Sequence, residues 1–281
     1  MSDNDLNEML TAYDVQLRRA SAQPSAGWRV EHLDDPAPLL RMTAPEGSAW
    51  GDMVVWSDLD ETTADAAIAQ SIDYFRGLGR TFEWKHHGYD RPADLPERLR
   101  AAGFDPDPEE TLVAGRVTEV IERLAGAAPP EGVTLRHLRD DPDGRAADWD
   151  AIRILHGTVW DEDGTGLVRE TSAEHAADPA AMSVHLAVTD EGTAACAAWI
   201  RFHAGTEFAS LWGGSTLPAY RRRGIYKALV ARRASEAAER GFRYLQVDAS
   251  DDSRPILERL GLHRLTSTTP FMWRPPTRSE P

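Results

Sequence analysis

The sequence has 281 residues, 41% of them apolar and 27% charged, and these fractions are typical of a folded protein. The length suits two domains of about 140 residues each. The net charge of −15 argues against a general nucleic-acid binder, and the single cysteine, Cys196, excludes an intrachain disulfide and a cysteine-rich metal site.

No stretch of the sequence predicts a membrane helix. The longest uncharged, mostly apolar run covers residues 193–200, far fewer than the roughly 20 residues that a bilayer requires. The N-terminal residues are acidic and lack the basic start and apolar core of a secretory signal. We therefore expect a cytoplasmic protein without a membrane partner.

The first half of the chain predicts a strand, a helix, a strand and a second helix in that order. Residue patterns place the first strand at 53–56 and the long helix at 64–78, directly before Gly79. The second strand falls within 79–84, and the short second helix ends at Gly103. A connecting helix at 117–124 precedes a Gly-, Ala- and Pro-rich linker at 126–132.

The second half predicts a meander of strands followed by a strand–helix–strand unit. Strands are expected at 133–138, 183–189, 193–202 and 207–216, with a helix at 148–160. Pro218 opens the next element, a helix with a small-residue face that ends at Gly241. A strand at 244–249, a short helix at 254–260 and a strand pair within 262–273 complete a mixed α/β domain.

The two halves repeat the same order of elements. In each, a long helix ends at a glycine, and a strand and a short helix lead to a second glycine, 24 residues later in the first half and 20 in the second. This order indicates an internal duplication. The predicted organisation is a first lobe at 1–125, the linker at 126–132 and a second domain at 133–275.

Positive charge is concentrated where the central helix of the second half begins. Residues 219–243 contain eight Lys or Arg and two Glu, a local charge of +6 within an acidic chain. A helix N-terminus preceded by three arginines and Gly224 brings unpaired backbone N–H groups, the helix dipole and guanidinium groups to one point. This pattern favours an anion-binding site, and a solvated helix face is the alternative.

From about residue 131 to 275, these motifs resemble the GNAT superfamily of N-acetyltransferases. The resemblance rests on the meander, the Arg221-x-x-Gly224 loop, the strand that ends at Val247-Asp248-Ala249, and the segment Leu257-Glu-Arg-Leu-Gly-Leu262. It implies a tandem GNAT-like acyl-CoA N-acyltransferase fold, with a degenerate first lobe, a cofactor-binding second lobe and two central strands that splay apart.

The resemblance also implies which residues hold acetyl-CoA. The pyrophosphate would lie on the loop, and the pantetheine arm would lie on the strand before it. Ser253, or Ser250, would stand where the family often has an asparagine near the cofactor. The implied loop residues are Arg221, Arg222, Arg223, Gly224, Ile225, Tyr226 and Lys227, and the implied pantetheine residues are Gly214, Ser215 and Thr216.

Three positions depart from the family pattern. Tyr226 replaces a second small residue of the loop, so its side chain must turn away from the phosphates or cover them. Leu257 stands where many members have the tyrosine that protonates the leaving thiolate. Ser210 stands where some members have a catalytic glutamate.

The remaining candidates for a general base are Asp248 and Glu207. For each, a carboxylate in a turn or salt bridge is an equally good interpretation, and water is a third route for the proton. Trp160 and Trp212 are the candidates for binding the acceptor. No histidine pair has the spacing of a metal site, so we expect no metal.

The expected function is acetyl-CoA-dependent N-acetylation of a primary amine on a small molecule, by direct attack on the thioester. Backbone N–H groups of 207–216 would stabilise the oxyanion, and acidic residues within 140–178 favour a cationic acceptor. The alternatives are a non-catalytic acyl-CoA-binding or regulatory module and a transferase of longer acyl groups. The protein would be a monomer or homodimer with a single CoA site, in its second half.

Overall fold

The computed structural model describes residues 2–20, 27–48 and 51–276. By their contacts, these residues form two compact units. The first unit contains the described residues up to Leu112, together with Asp248–Asp252 and the residues from Arg264 onward; the second contains Val113–Val247 and Ser253–His263. No helix in the described ranges is long and apolar enough to cross a membrane.

The first unit is built on a mixed sheet. Strands β1, β2 and β3 form an antiparallel meander, β3 pairs in parallel with β4, and β4 and β5 each pair antiparallel with β12. A π-helical segment, Asp14–Arg19, follows α1. The elements are α1 (Asp3–Tyr13), β1 (Arg29–Leu33), β2 (Leu39–Thr43), β3 (Asp52–Ser57), α2 (Ala64–Leu78), β4 (Phe82–His87), α3 (Leu95–Ala101), β5 (Asp105–Pro106) and β12 (His263–Trp273).

The last strand of the chain completes the core of the first unit. Phe271 and Trp273 on β12 are buried in one cluster with Phe75, Phe82 and other apolar side chains of that unit. Strand β6 (Glu110–Arg116) begins in the first unit and ends in the second. The compact units therefore do not follow chain order, and they differ in this respect from the predicted division at 126–132.

The second unit has a sheet with helices on both faces. Strands β7 to β10 are antiparallel neighbours, and β10 pairs in parallel with β11. Helix α7 covers one face, here called the α7 face, and α5 and α6 cover the other, the α5 face. The elements are α4 (Val117–Arg123), β7 (Val133–His137), α5 (Pro142–Trp160), α6 (Thr165–Ala177), β8 (Met182–Thr189), β9 (Ala194–Phe202), β10 (Phe208–Thr216), α7 (Ile225–Glu239), β11 (Tyr244–Ala249) and α8 (Arg254–Arg259).

The duplication is visible in the way four helices end. After α2, Gly79 has a left-handed φ of 68°, its N–H donates to the Arg76 carbonyl, and the next N–H donates to the Phe75 carbonyl. The same pair of hydrogen bonds and a positive φ recur at Gly103, Gly241 and Gly261. Each predicted helix-ending glycine therefore closes a Schellman-type cap, which a residue with a Cβ adopts only with strain.

Each unit also contains one parallel strand pair that separates after three residues. Register between β3 and β4 ends at Val54 opposite Trp84, and register between β10 and β11 ends at Ser210 opposite Gln246. Strand β10 continues to Thr216 and β11 to Ala249. The predicted splay of the two central strands is confirmed.

The elements with strong periodicity or clear end signals are confirmed, including α2 and β11 at their predicted bounds. Helix α5 begins earlier than predicted because Asp141 accepts the Gly144 N–H at 2.6 Å and Pro142 occupies the first turn. The strand pair expected within 262–273 is wrong, since a single strand covers His263–Trp273. Helix α6 was not predicted, because Thr171 is its only buried residue and its apolar periodicity is weak.

Candidate functional site

The loop between β10 and α7 presents backbone donors at one point. A 3-10 turn at Pro218–Tyr220 is followed by Arg222 and Gly224, both in the left-handed region with φ of 59° and 82°. Within the ranges that the structure describes, the N–H groups of 222–227 donate no backbone hydrogen bond. Successive unpaired N–H groups at a helix N-terminus form a concavity that suits a phosphate.

Gly224 leaves this concavity open. A Cβ built on it meets no atom within 4 Å, so the space beside the backbone is free. Its positive φ is one that residues with a side chain rarely adopt. The residue thus combines access to the main chain with a backbone shape that favours glycine.

The predicted loop residues divide into those that face solvent and those that anchor the helix. Arg222, Arg223 and Lys227 are exposed. Arg221 is also exposed, and its Nε donates to the Thr216 carbonyl at 3.1 Å, which ties the loop to the end of β10. Ile225 is buried in the cluster on the α7 face.

Tyr226 lies against β10. A Cβ on Gly214 would come within 2.6 Å of the Tyr226 ring, so the ring packs on the bare backbone of that glycine. Burial raises the pKa of the Tyr226 phenol, which stays neutral. Gly214 is therefore required by the tyrosine that replaces the second small residue of the loop.

A buried arginine fastens helix α7 to the irregular part of β10. The register between β9 and β10 shifts between Trp212 and Ser215. Arg233 is 1% exposed, and its Nη1 donates to the Trp199 carbonyl at 3.1 Å and to the Trp212 carbonyl at 3.4 Å. Arg233 is one of the eight basic residues of 219–243, but its guanidinium is inside the unit and does not add to the exposed positive charge.

The two predicted acceptor-binding tryptophans lie on the α5 face. Trp160 Nε1 donates to Ser215 Oγ at 2.9 Å, and Trp212 Nε1 donates to Ser210 Oγ at 2.6 Å. Both indole rings remain partly exposed, at 55% and 38%. They therefore offer aromatic surface beside the splayed part of β10.

Charged side chains frame the ring of Trp212. The Arg201 guanidinium lies 4.4 Å from the ring centroid. Glu174 on α6 holds that guanidinium through two hydrogen bonds of 2.7 Å. One face of Trp212 is thus covered by a residue of the chain itself.

Ser210 connects Trp212 to a histidine that sequence reasoning missed. His203 Nε2 lies 2.8 Å from Ser210 Oγ. Because the Trp212 N–H can only donate, the Ser210 hydroxyl is free to donate to His203. Burial, and then the nearby Arg201 cation, lower the pKa of His203 to about 4, so its imidazole is neutral at pH 7.

The carboxylates proposed as bases are held by cations. In the first unit, Asp248 Oδ2 lies 3.4 Å from Lys85 Nζ, and Thr268 donates to its Oδ1 at 3.4 Å. In the second unit, Glu207 pairs with Arg243 at 3.1 Å and precedes β10. At about 3.3 Å per residue, Glu207 is roughly 30 Å from the loop end of that strand. These contacts favour the salt-bridge interpretation for both.

The other positions predicted near the cofactor have local structural roles. Leu257 is 1% exposed on α8, and Ser253 is the residue before that helix. Ser215 Oγ accepts from Trp160, whereas Thr216 Oγ1 lies 3.0 Å from Cys196 Sγ. Ser215 therefore faces α5, and Thr216 faces α7.

Residues 149–262 match the model of the acetyltransferase (GNAT) family. No curated protein matches the chain.

Solved structures share the fold over nearly the whole length. A GCN5-related N-acetyltransferase from Kribbella flavida is 18% identical, with a TM-score of 0.64 and coverage of 94% of each chain. A tandem GNAT protein from the clavulanic acid biosynthesis pathway is 14% identical, with a TM-score of 0.63 and coverage of 97% of this chain and 95% of its own. At these identities the likeness concerns the fold, which is that of a tandem GNAT.

Proposed function

We propose that this chain, whose residues 149–262 form a domain of the GNAT family, transfers an acetyl group from acetyl-CoA to a primary amine of a small molecule. The family supports acyl-CoA-dependent acyl transfer. The acetyl donor and the amine acceptor are the finer parts of the proposal.

The observation that carries the proposal is the loop at 221–227. The N–H groups of 222–227 donate no backbone hydrogen bond in the described ranges, Gly224 leaves the backbone open, and exposed arginines surround it. The pyrophosphate of CoA is an anion that such a loop binds. The thioester arm would lie along the last part of β10, which is no longer paired with β11 beyond Ser210.

The reaction is a direct transfer. The neutral amine attacks the thioester carbonyl carbon, a C–N bond forms, and the C–S bond breaks as the tetrahedral oxyanion collapses. Backbone N–H groups of β10 beyond Ser210 would stabilise the oxyanion. The buried Leu257 side chain has no proton to give, so the leaving thiolate would take one from solvent.

The proton of the attacking amine would leave on the α5 face. Ser210 Oγ is hydrogen-bonded to the neutral His203 imidazole, and Trp212 holds the serine from the other side. His203, acting through Ser210, is our proposed proton acceptor. Asp248 is the alternative proton acceptor. It ranks second because its carboxylate would first have to separate from Lys85.

Trp160 and Trp212 are the proposed acceptor-binding surface. The exposed Trp160 ring would attract a cation, and an ammonium over an exposed indole gains about 0.5–1 kcal/mol. One face of Trp212 is already covered by the Arg201 guanidinium. We therefore place cationic amines first in the substrate panel.

The test is release of free thiol from acetyl-CoA against a panel of small amines. Gly224→Glu should remove the activity, because it places bulk and negative charge at the phosphate loop. Gly192→Glu is the matched control, since Gly192 lies in the second unit with a φ of 85° and equally open space. A non-catalytic acyl-CoA-binding module would bind acetyl-CoA with a measurable dissociation constant but release no thiol. A transferase of longer acyl groups would release thiol faster from longer acyl-CoA donors, which are tested in parallel.

A further inference from the structure

Two histidines and a glutamate converge on the α7 face, apart from the loop. His137 on β7 stands directly opposite His185 on β8 in the antiparallel register, and their ring centroids are 4.4 Å apart. Glu236 projects from α7 onto this pair, with its Oε2 3.0 Å from His185 Nε2. One ligand atom from each of the three residues lies within 4.8 Å of the others.

The donor set suits a transition-metal ion. Two imidazole nitrogens and one carboxylate oxygen are ligands that Zn²⁺ binds, commonly with a fourth position left for water. With bonds of about 2.0–2.2 Å, tetrahedral ligands are roughly 3.3 Å apart. The 3.0 Å between His185 and Glu236 is close to this spacing, and the exposed His137 side chain can close the remaining gap.

Burial prepares two of the three groups. His185 is 1% exposed, and this burial lowers the pKa of its imidazole, so the ring is neutral at pH 7. A metal ion at Nε2 would displace the proton that this nitrogen donates to Glu236. Although burial raises the pKa of Glu236, hydrogen bonds from His185 and Ser183 lower it to about 2. The glutamate is therefore a carboxylate.

Neighbouring groups both support and oppose a cation here. Ser183 at 2.5 Å and Arg240 at 3.1 Å hold Glu236 Oε1, which orients the carboxylate and leaves Oε2 toward the histidines. Arg232 Nη2 lies 3.4 Å from His137 Nε2 and competes with a metal for that nitrogen. Arg232 is exposed, so it can move into solvent.

The cluster is separate from the proposed cofactor loop. Glu236 follows Gly224 by 12 residues, which is about 18 Å along a helix at 1.5 Å per residue. We propose that His137, His185 and Glu236 form a binding site for one divalent transition-metal ion, such as Zn²⁺ or Co²⁺. The ion would tie β7, β8 and α7 together and leave one coordination position open.

The test is a Co²⁺ and Zn²⁺ titration of the full chain after chelator treatment and without an affinity tag. One equivalent should bind, with the visible absorption of a low-coordinate Co²⁺ complex and a rise in the melting temperature. His137→Gln removes the exposed ligand and should weaken metal binding by about tenfold or more. Losing even a residue that only hydrogen-bonds to a metal ligand often lowers the metal affinity by that factor. Arg232→Gln should strengthen binding because it removes the competing cation.

His263→Gln is the matched control. His263 lies 3.9 Å from Glu119, so these two residues form a histidine–glutamate pair without a second histidine. Replacing His263 should therefore leave metal binding unchanged. Equal binding by the unchanged chain and by His137→Gln, or no binding at all, would overturn the proposal. Circular dichroism of each variant separates loss of a ligand from loss of the fold.

Discussion

Gly224 and Tyr226 show how single residues shape the loop. Gly224 has a left-handed φ and open space beside it, whereas Tyr226 fills the space above Gly214. The tyrosine packs on the strand next to the loop, and the N–H groups of 222–227 donate no backbone hydrogen bond in the described ranges. The departure from the family pattern is therefore matched by a glycine in the neighbouring strand.

Gly224→Glu should abolish CoA binding in isothermal calorimetry, because a carboxylate would meet the pyrophosphate and the side chain would strain a φ of 82°. Gly192→Glu carries the same strain without a role in the loop and should bind normally. Arg221→Ala and Arg223→Ala should weaken binding more at low salt than at high salt, since exposed charges are screened. Unchanged affinity in Gly224→Glu would rule out this loop as the cofactor site.

His203→Gln should lower kcat by about 10²-fold while CoA affinity is unchanged, since a positioned base contributes about 10²–10⁴ in rate. Because the neutral imidazole is the active form and burial lowers its pKa to about 4, the ratio of kcat between the unchanged chain and His203→Gln should fall only as the pH drops toward 4, not near 6.5. Protonation of the amine affects both chains alike. Asp248→Asn, measured in parallel, should cost less than about threefold. A larger loss of kcat in Asp248→Asn than in His203→Gln would assign the base to Asp248.

Helix α5 illustrates how one buried carboxylate fixes an element. Asp148 is 1% exposed, and it accepts hydrogen bonds of 2.7 Å from both Arg136 and Arg139. Although burial raises its pKa, these hydrogen bonds lower the pKa to about 2. The carboxylate thus joins α5 to β7 and to the segment after it.

Asp148→Asn should lower the free energy of unfolding by about 2 kcal/mol at pH 7, because about two pKa units separate the folded and unfolded states. The contribution is complete above about pH 4, the unfolded pKa, and is lost as the pH falls to about 2. Asp150→Asn on the same helix, where the carboxylate is 59% exposed, is the control and should change little. Denaturant unfolding at pH 7 and pH 3 measures both variants, and equal losses at the two pH values would contradict the assignment.

The whole molecule repeats one architecture in two units with different loops. Each has the splayed parallel pair and the glycine-capped helices, but the loop before α2 is acidic where the loop before α7 is basic. In the first unit, Asp60 accepts the N–H groups of Thr62 and Thr63, at 2.8 and 2.9 Å. Hydrogen bonds from these two threonines lower the pKa of Asp60 to about 2, so an anion already occupies that helix N-terminus.

The full chain should therefore bind one equivalent of CoA, in the second unit. A pyrophosphate at the start of α2 would meet Asp58, Asp60 and Glu61, and like charges at about 4 Å repel by about 1 kcal/mol even in water. Calorimetric titration should saturate near one equivalent, and the Gly224→Glu chain should bind none. A second equivalent, or residual binding in that variant, would show that the first unit is also a cofactor site.

Local signals in the sequence determined most of the helices, most strands, the duplication and the shape of the loop at 221–227. Apolar periodicity marks α2 and α7, and Gly79, Gly103, Gly241 and Gly261 each end a helix because their caps need a left-handed residue. The loop at 221–227 could be predicted for a similar reason. An anion site at a helix N-terminus is made by consecutive residues, so one short segment of sequence is enough to predict it.

Only the tertiary structure decided which distant side chains meet. Four features depend on strand pairing and helix packing. They are the placement of β12 in the first unit, the burial of Arg233, the His203–Ser210 contact, and the cluster of His137, His185 and Glu236. His137 and His185 are 48 residues apart in the chain and become opposite neighbours through the β7–β8 register. Such pairs leave no local signal, because burial and hydrogen bonding across a sheet are properties of the packed units and not of a segment.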